Sequence, residues 1–195
     1  MKWRRRGFQR QSIDLAGDGG QITLCASLFF ILFLGVLLFG FLQMEMVRSS
    51  SRYLEDALAA SGLASALIDV REYGRTHAVR IADGGEAYER YREALKANLG
   101  LNEAWECDSQ RLISGKVTVE NYTVYNVTGE VVVSRRLDGG KEETVTGRKG
   151  EVLAPNGTPV EKTGVYGEVS YVLRGLFGME IPARKGKLVD VAGEE

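Results

Sequence analysis

An α+β fold carried behind a long N-terminal apolar helix is what this sequence predicts, on three observations. Ile22 to Leu42 is a run of twenty-one residues without a charge. Small and apolar residues then recur at helical spacing as far as Ile68. From Ile113 onward the chain turns to short runs of valine, threonine and tyrosine divided by glycine-bearing turns, the pattern of an antiparallel sheet.

Residues 1–20 form a basic leader, with Lys2, Arg4, Arg5, Arg6 and Arg10 set against Asp14 and Asp18, and it closes on Gly17-Asp18-Gly19-Gly20. Residues 21–43 follow as a transmembrane helix. At 1.5 Å per residue its uncharged run is roughly 30 Å long, the thickness of a bilayer's hydrocarbon core. Ile22, Leu28, Phe29, Phe30, Leu34, Leu38 and Leu42 are its anchoring residues. The lysine and arginine excess before the run predicts a single-pass protein of the cell membrane, N-terminus cytoplasmic and C-terminal domain outside. A cleaved secretory signal has a shorter apolar core and a small-residue cleavage site. Here the run passes into Gln43-Met44-Glu45-Met46-Val47 with no such site.

Residues 44–73 are expected to continue the same helix, since no proline interrupts Gln21 to Tyr73. One face carries Leu54, Ala57, Leu58, Ser61, Ser65 and Ile68, and the small members permit close packing. Two partners fit this stripe: another helix alongside, or the chain's own C-terminal domain. Residues 74–111 read as a linker and a second amphipathic helix from Glu86 to Leu99, with Ala87, Tyr91, Ala94, Leu95 and Asn98 on one face and Gly100 as its C-cap.

Residues 112–195 make a strand-rich domain with a polar C-terminal tail. Lys116 to Val119, Tyr122 to Val127 and Glu130 to Arg135 are strands by composition. Leu137-Asp138-Gly139-Gly140 is a hairpin turn answered by a polar return strand, Lys141 to Thr146. Ala154-Pro155-Asn156-Gly157 marks another turn, and Gly164 to Arg174 another strand. Ile181-Pro182 ends the pattern, with a last strand at Lys187 to Val191, for a sheet of about five strands.

Several chemistries find no support. The net charge of -1 leaves no basic footprint for nucleic acid. His77 is the only histidine and no Gly-x-Ser-x-Gly elbow accompanies it. With Cys25 inside the apolar run and Cys107 beyond it, neither a zinc set nor an intrachain disulfide is expected. Asp83, Glu86, Glu89 and Glu93 read as the wet face of the second helix, partly paired with Arg90 and Arg92. No glycine pattern matches a nucleotide-binding loop. Three Asn-x-Thr sequons begin at Asn121, Asn126 and Asn156, and threonine-rich strands produce such triplets by chance. Gly35 and Gly40 stand five apart, so the apolar run holds no small-xxx-small motif. The expectation is a non-enzymatic protein without a cofactor or metal.

Gly20-Gln21-Ile22-Thr23-Leu24-Cys25-Ala26-Ser27-Leu28 resembles the start of a type IV pilin-like segment. More narrowly, the chain resembles the TadE/TadG-like proteins of tight-adherence (Flp-type) pilus systems. They combine a basic leader, a Gly-Gln or similar pair, an apolar helix and an alanine-rich extension, here Arg52-Tyr53-Leu54-Glu55-Asp56-Ala57-Leu58-Ala59-Ala60. The likeness covers residues 1–70 in detail and the rest only in architecture. It implies a minor pilin or pseudopilin of a pilus or secretion apparatus. Its implied partners are the lipid bilayer, other pilin-like subunits or assembly proteins, and a prepilin peptidase cutting between Gly20 and Gln21. A glycine-rich, extended backbone before Gln21 suits that cut; an uncleaved anchor with a flexible lead-in is the alternative. One position departs from the family: the glutamate usual at the fifth residue after the cut is Cys25, which carries no comparable charge at neutral pH. The other function the sequence allows is a permanently anchored binding module or envelope scaffold.

Overall fold

A computed structural model of the chain describes residues 18–107, 113–138, 141–175 and 178–191. The leader through residue 17, the Gly139-Gly140 turn and the tail beyond Val191 lie outside the described residues. The architecture is α+β: a long apolar N-terminal helix, two further helices and a five-stranded antiparallel sheet. The chain divides into two compact units, one ending at Leu42 and the next beginning at Gln43.

Helix α1 runs Asp18–Ser65. It ends earlier than the absence of proline suggested, and local hydrogen bonding accounts for the stop. Ser65 Oγ turns back to Gly62 O at 2.8 Å. The chain then extends, with Asp69 N donating to Arg80 O at 2.9 Å and Ile68 bridging Ile81. Asp69 restarts a helix, α2 (Val70–Thr76), its Oδ1 accepting from Arg71 N and Glu72 N. Residues 66–73 are therefore a bridge and a separate short helix. Helix α3 spans Gly84–Leu99, capped by Asp83 at one end and by left-handed Gly100 at the other. Its inward face is Ala87, Tyr91, Leu95 and Leu99, turned slightly from the predicted one: Leu99 is buried, while Asn98 is exposed.

The sheet has the order β3-β2-β1-β4-β5, from β1 (Ile113–Thr128), β2 (Val131–Asp138), β3 (Lys141–Arg148), β4 (Gly164–Arg174) and β5 (Glu180–Asp190). The two runs predicted at 116–119 and 122–127 are one strand. Against β4, its register slips between Ser114 and Thr118 and again between Val119 and Asn121. The second slip inserts one residue, which breaks the alternation and lets Val117 and Tyr122 face the same core. β5 also begins earlier than predicted and runs through Pro182, which pairs with Val172. Proline fits there because β5 is an edge strand, where a missing N–H leaves no neighbour unpaired.

One sheet face packs on the second unit's stretch of α1 and on α3. Leu54, Leu58, Tyr91, Leu95, Tyr122, Val124, Val165, Val169 and Val189 share that core. On the opposite face Tyr125, Val132 and Tyr166 are covered by Ala154 and Val160 of the β3–β4 connection. Two glycines make room for rings: a Cβ at Gly167 would strike the Tyr91 hydroxyl, and one at Gly186 the Tyr166 hydroxyl.

Candidate functional site

The first unit carries the most conspicuous surface of the chain. Side chains from Ile22 to Leu42 are exposed around the helix, Ile22 at 69 %, Phe29 at 72 % and Val36 at 70 %, with Phe39 half-buried. No charged residue lies between Asp18 and Glu45. Leaving a dozen such side chains in water forfeits on the order of 20–40 kcal/mol relative to burying them. That exceeds the roughly 5–15 kcal/mol by which a domain is stable. The helix is long and apolar enough to cross a membrane, and lies near the N-terminus. All seven anchoring residues named from the sequence, Ile22, Leu28, Phe29, Phe30, Leu34, Leu38 and Leu42, are among the exposed ones.

Gly20 and Gln21 lie in the first turns of α1, so the backbone there is helical and not the extended lead-in expected from the glycines. Glycine is a poor helix former, about 1 kcal/mol worse than alanine, and helix ends fray, so this turn opens at small cost.

The stripe on the outer part of α1 is occupied by the chain itself. Leu54, Ala57, Leu58, Ser61 and Ser65 are buried, and Ile68 is half-buried against the same core. The serines are hydrogen-bonded where they enter that apolar contact. Ser61 Oγ donates to Ala57 O at 2.7 Å and accepts from Asn98 Nδ2 at 3.1 Å. Ser65 Oγ accepts from the Tyr122 hydroxyl at 3.0 Å. Gly62 allows the closest approach: a Cβ there would stand 2.8 Å from Val189 Cγ2 and 3.3 Å from Val165 Cγ2.

At the side of this contact is an ionic clamp that sequence reasoning missed. Glu55 Oε1 meets Lys187 Nζ at 2.7 Å and Oε2 meets Lys185 Nζ at 3.2 Å, while Lys185 also reaches Ser51 Oγ at 3.3 Å. Hydrogen bonds from Lys187 and Lys185, reinforced by their charges, hold the Glu55 carboxyl below its ordinary range. The alternate spacing of Lys185 and Lys187 in a strand was the only signal available, and it does not name a partner. These contacts also give the direction of packing. Gln43 neighbours Gly175, Glu55 neighbours Lys185 and Lys187, and Gly62 neighbours Val189, so the second unit's stretch of α1 runs alongside β5 in the same direction.

Asn126 opens one of the three Asn-x-Thr triplets. Its side chain is buried and makes two hydrogen bonds to the backbone of Ile81. Thr163 does the equivalent nearby, donating to Val79 O at 2.9 Å and accepting from Val127 N at 2.9 Å. His77 is exposed and left-handed (φ 55°) at the end of α2, with its ring edge-on to Tyr73. Glu86 pairs with Arg90 at 2.8 Å and Glu89 with Arg92 at 3.3 Å.

The ionisable groups most displaced from their ordinary values are core tyrosines, moved by burial. Tyr122 is pushed up to about 12 by burial, opposed by its bond to Ser65. Tyr166 is pushed up to about 12 by burial, with Glu168 adding to the shift, and Tyr91 is raised by burial as well. Among the described residues, no three His, Cys, Asp or Glu side chains converge as a metal set. The groove beside Tyr88 and Trp105 has Arg92 over both rings, at 5.7 Å and 5.1 Å from their centres. This guanidinium, which also pairs with Glu89, positions a helix against a loop, and among the described residues no carboxylate lines that groove. Comparison of the chain with protein-family models, with curated proteins and with solved structures found no match in any of the three.

Proposed function

We propose that this chain is a non-enzymatic, single-span envelope protein that serves as a minor pilin or pseudopilin of a Tad/Flp-type pilus or secretion apparatus. The observation that carries the reading is the uncovered apolar helix from Ile22 to Leu42, joined directly to a folded α+β unit beginning at Gln43. The helix anchors the subunit in the bilayer and packs with like helices during assembly. The basic leader stays in the cytoplasm and the sheet domain faces outward. Gly20 and Gln21 are the processing pair of this reading, opened by fraying of the first helical turn.

A second reading is favoured by a specific observation. The stripe Leu54, Ala57, Leu58, Ser61 and Ser65 is filled by the chain's own domain. Packing between subunits outside the membrane would then have to use other surfaces, and a permanently anchored binding module or scaffold needs no such packing.

The mature N-terminus separates the two. Intact mass of the protein from its native envelope should give a species beginning at Gln21. A species keeping Met1 or Lys2 overturns the processed-pilin reading and leaves the permanent anchor.

A further inference from the structure

Within the folded unit, the side of α1 turned away from the sheet is exposed. Ser49, Arg52, Asp56, Ala60 and Leu63 fall within about 80° of the helix circumference, opposite Leu54, Leu58, Ser61 and Ser65. All five are exposed, Leu63 at 59 %. Leu67 and Val70, just past the helix end, are also exposed, and they border one groove with Ala82 and Ala87. The face is thus charged at its start and apolar at its end. Glu45 and Arg48, at the turn before it, pair with each other at 2.9 Å. Arg52 and Asp56 are in no ion pair among the described residues, although they stand one turn apart. An acid placed one turn ahead of a base pairs well along a helix, and the reverse order, which these two have, pairs poorly.

We propose that this face is where a second copy of the chain packs, its α1 parallel to the first across a two-fold axis. The inference goes beyond the anchor reading and rests on the folded unit alone. The occupant follows from the charges and the apolar end taken together. In a parallel pair Leu63 meets its own counterpart, as seam positions do in a parallel two-stranded coil. The guanidinium of Arg52 lies one turn, roughly 6 Å along the axis, from the second copy's Asp56, within reach of its long side chain. Symmetry makes that pair twice. An antiparallel pair can also join Arg52 to Asp56, by centring on position 54, but it then sets Ala60 against Arg48 and Leu63 against Glu45. That arrangement presses apolar side chains onto an ion pair already made. Ala60 carries only a methyl, which lets two helix axes approach closely. The opposite face of α1 is filled by the chain's own sheet, so the contact leaves the fold of each copy unchanged.

The test uses the full chain in detergent solution, with Cys25 and Cys107 changed to serine and one new cysteine at a time. Leu63→Cys lies on the face, and Thr144→Cys, on the exposed strand β3, is the control. The expected result is oxidative dimerisation at position 63 and little at position 144. Equal rates at the two positions overturn the contact. Cross-linking of position 63 only in a mixture with Glu45→Cys overturns the parallel arrangement. Charge reversal separates this face from a contact made through the apolar span, which every variant shares. Asp56→Arg and Arg52→Asp, each added to Leu63→Cys, should each slow self-dimerisation roughly fivefold, and an equal mixture of the two should recover it. Rates unchanged by either reversal overturn the proposal while the anchor stands. Both side chains are exposed, so the urea midpoint of each variant should match its parent and exclude unfolding as the cause.

Discussion

The side-chain amide of Asn126 holds the backbone of Ile81 at both edges. Its Oδ1 accepts from Ile81 N at 2.8 Å and its Nδ2 donates to Ile81 O at 3.0 Å. Both residues are buried, so the pair takes the place of a strand neighbour for the segment that leads into α3. Replacement by alanine strands a donor and an acceptor, each costing about 1–3 kcal/mol. Asn126→Ala should therefore lose about 2–6 kcal/mol in urea unfolding. Asn126→Asp should lose at least as much at neutral pH, because a second acceptor then faces Ile81 O. Loss under about 1 kcal/mol in both variants would show that the pair does not hold this segment.

Gly62 and Val189 are coupled by space. Gly62→Ala gains about 1 kcal/mol of helix propensity but drives its methyl into Val189 Cγ2, and overpacking costs about 1–3 kcal/mol. The single substitution should be destabilising. In the double variant with Val189→Ala the 2.8 Å contact is removed, leaving 3.1 Å to the Cβ of residue 189 and 3.3 Å to Val165 Cγ2, and the measured loss should fall short of the sum of the singles by about 1 kcal/mol. Additive losses would mean that the contact is looser than the distances state.

The Glu55 clamp predicts an acid-side dependence. A carboxyl held below its ordinary value of 4.5 stabilises the fold fully above that pH and loses the contribution as pH falls through the lowered value. The clamp is partly exposed, so it is worth no more than about 1 kcal/mol. Stability of the wild type minus that of Glu55→Gln should be constant near neutrality and shrink toward zero below about pH 4. A difference that grows in acid would reverse the assignment.

Two core tyrosines should answer differently to loss of the hydroxyl. Tyr122 donates to Ser65, so Tyr122→Phe should cost about 1 kcal/mol. The Tyr91 hydroxyl is buried beside Gly167 with no hydrogen-bond partner among the described residues, so Tyr91→Phe should be neutral or stabilising. Both rings are raised above the ordinary tyrosine value of 10, so the stability they lend is complete below that pH and lost as pH rises beyond it. Alkaline titration followed at 295 nm should show these two ionising together with unfolding.

The parts of this molecule readable from sequence are those set by local chemistry. The charge-free run, the Gly100 cap of α3, and β4 with both its ends were all visible in that way, while the cap at Asp83, two residues before the expected helix start, was not. The misreadings have one cause, which is that distant partners override local signals. Pro182 stops a central strand but not the edge strand that β5 turns out to be. The inserted residue in β1 hides one long strand behind broken alternation. Asn126 and Glu55 carry ordinary surface-residue signals, and their roles exist only once Ile81 and Lys187 arrive from elsewhere in the chain. The candidate membrane surface was legible almost whole, since it depends on composition alone.

The pairing of α1 with β5 also sets an order of events. Glu55 and Lys187 are 132 positions apart, and Leu54 and Leu58 share a core with Val189. The first helix of the domain therefore waits for β5, more than a hundred residues later, before its apolar face is covered. Contacts of such separation slow folding, because the loop must close before they form. Synthesis proceeds from the N-terminus, so a nascent chain whose apolar span has already emerged still displays Leu54 and Leu58 bare. The domain is thus obliged to complete its core only after β5 has been made, with an aggregation-prone helix exposed in the interval.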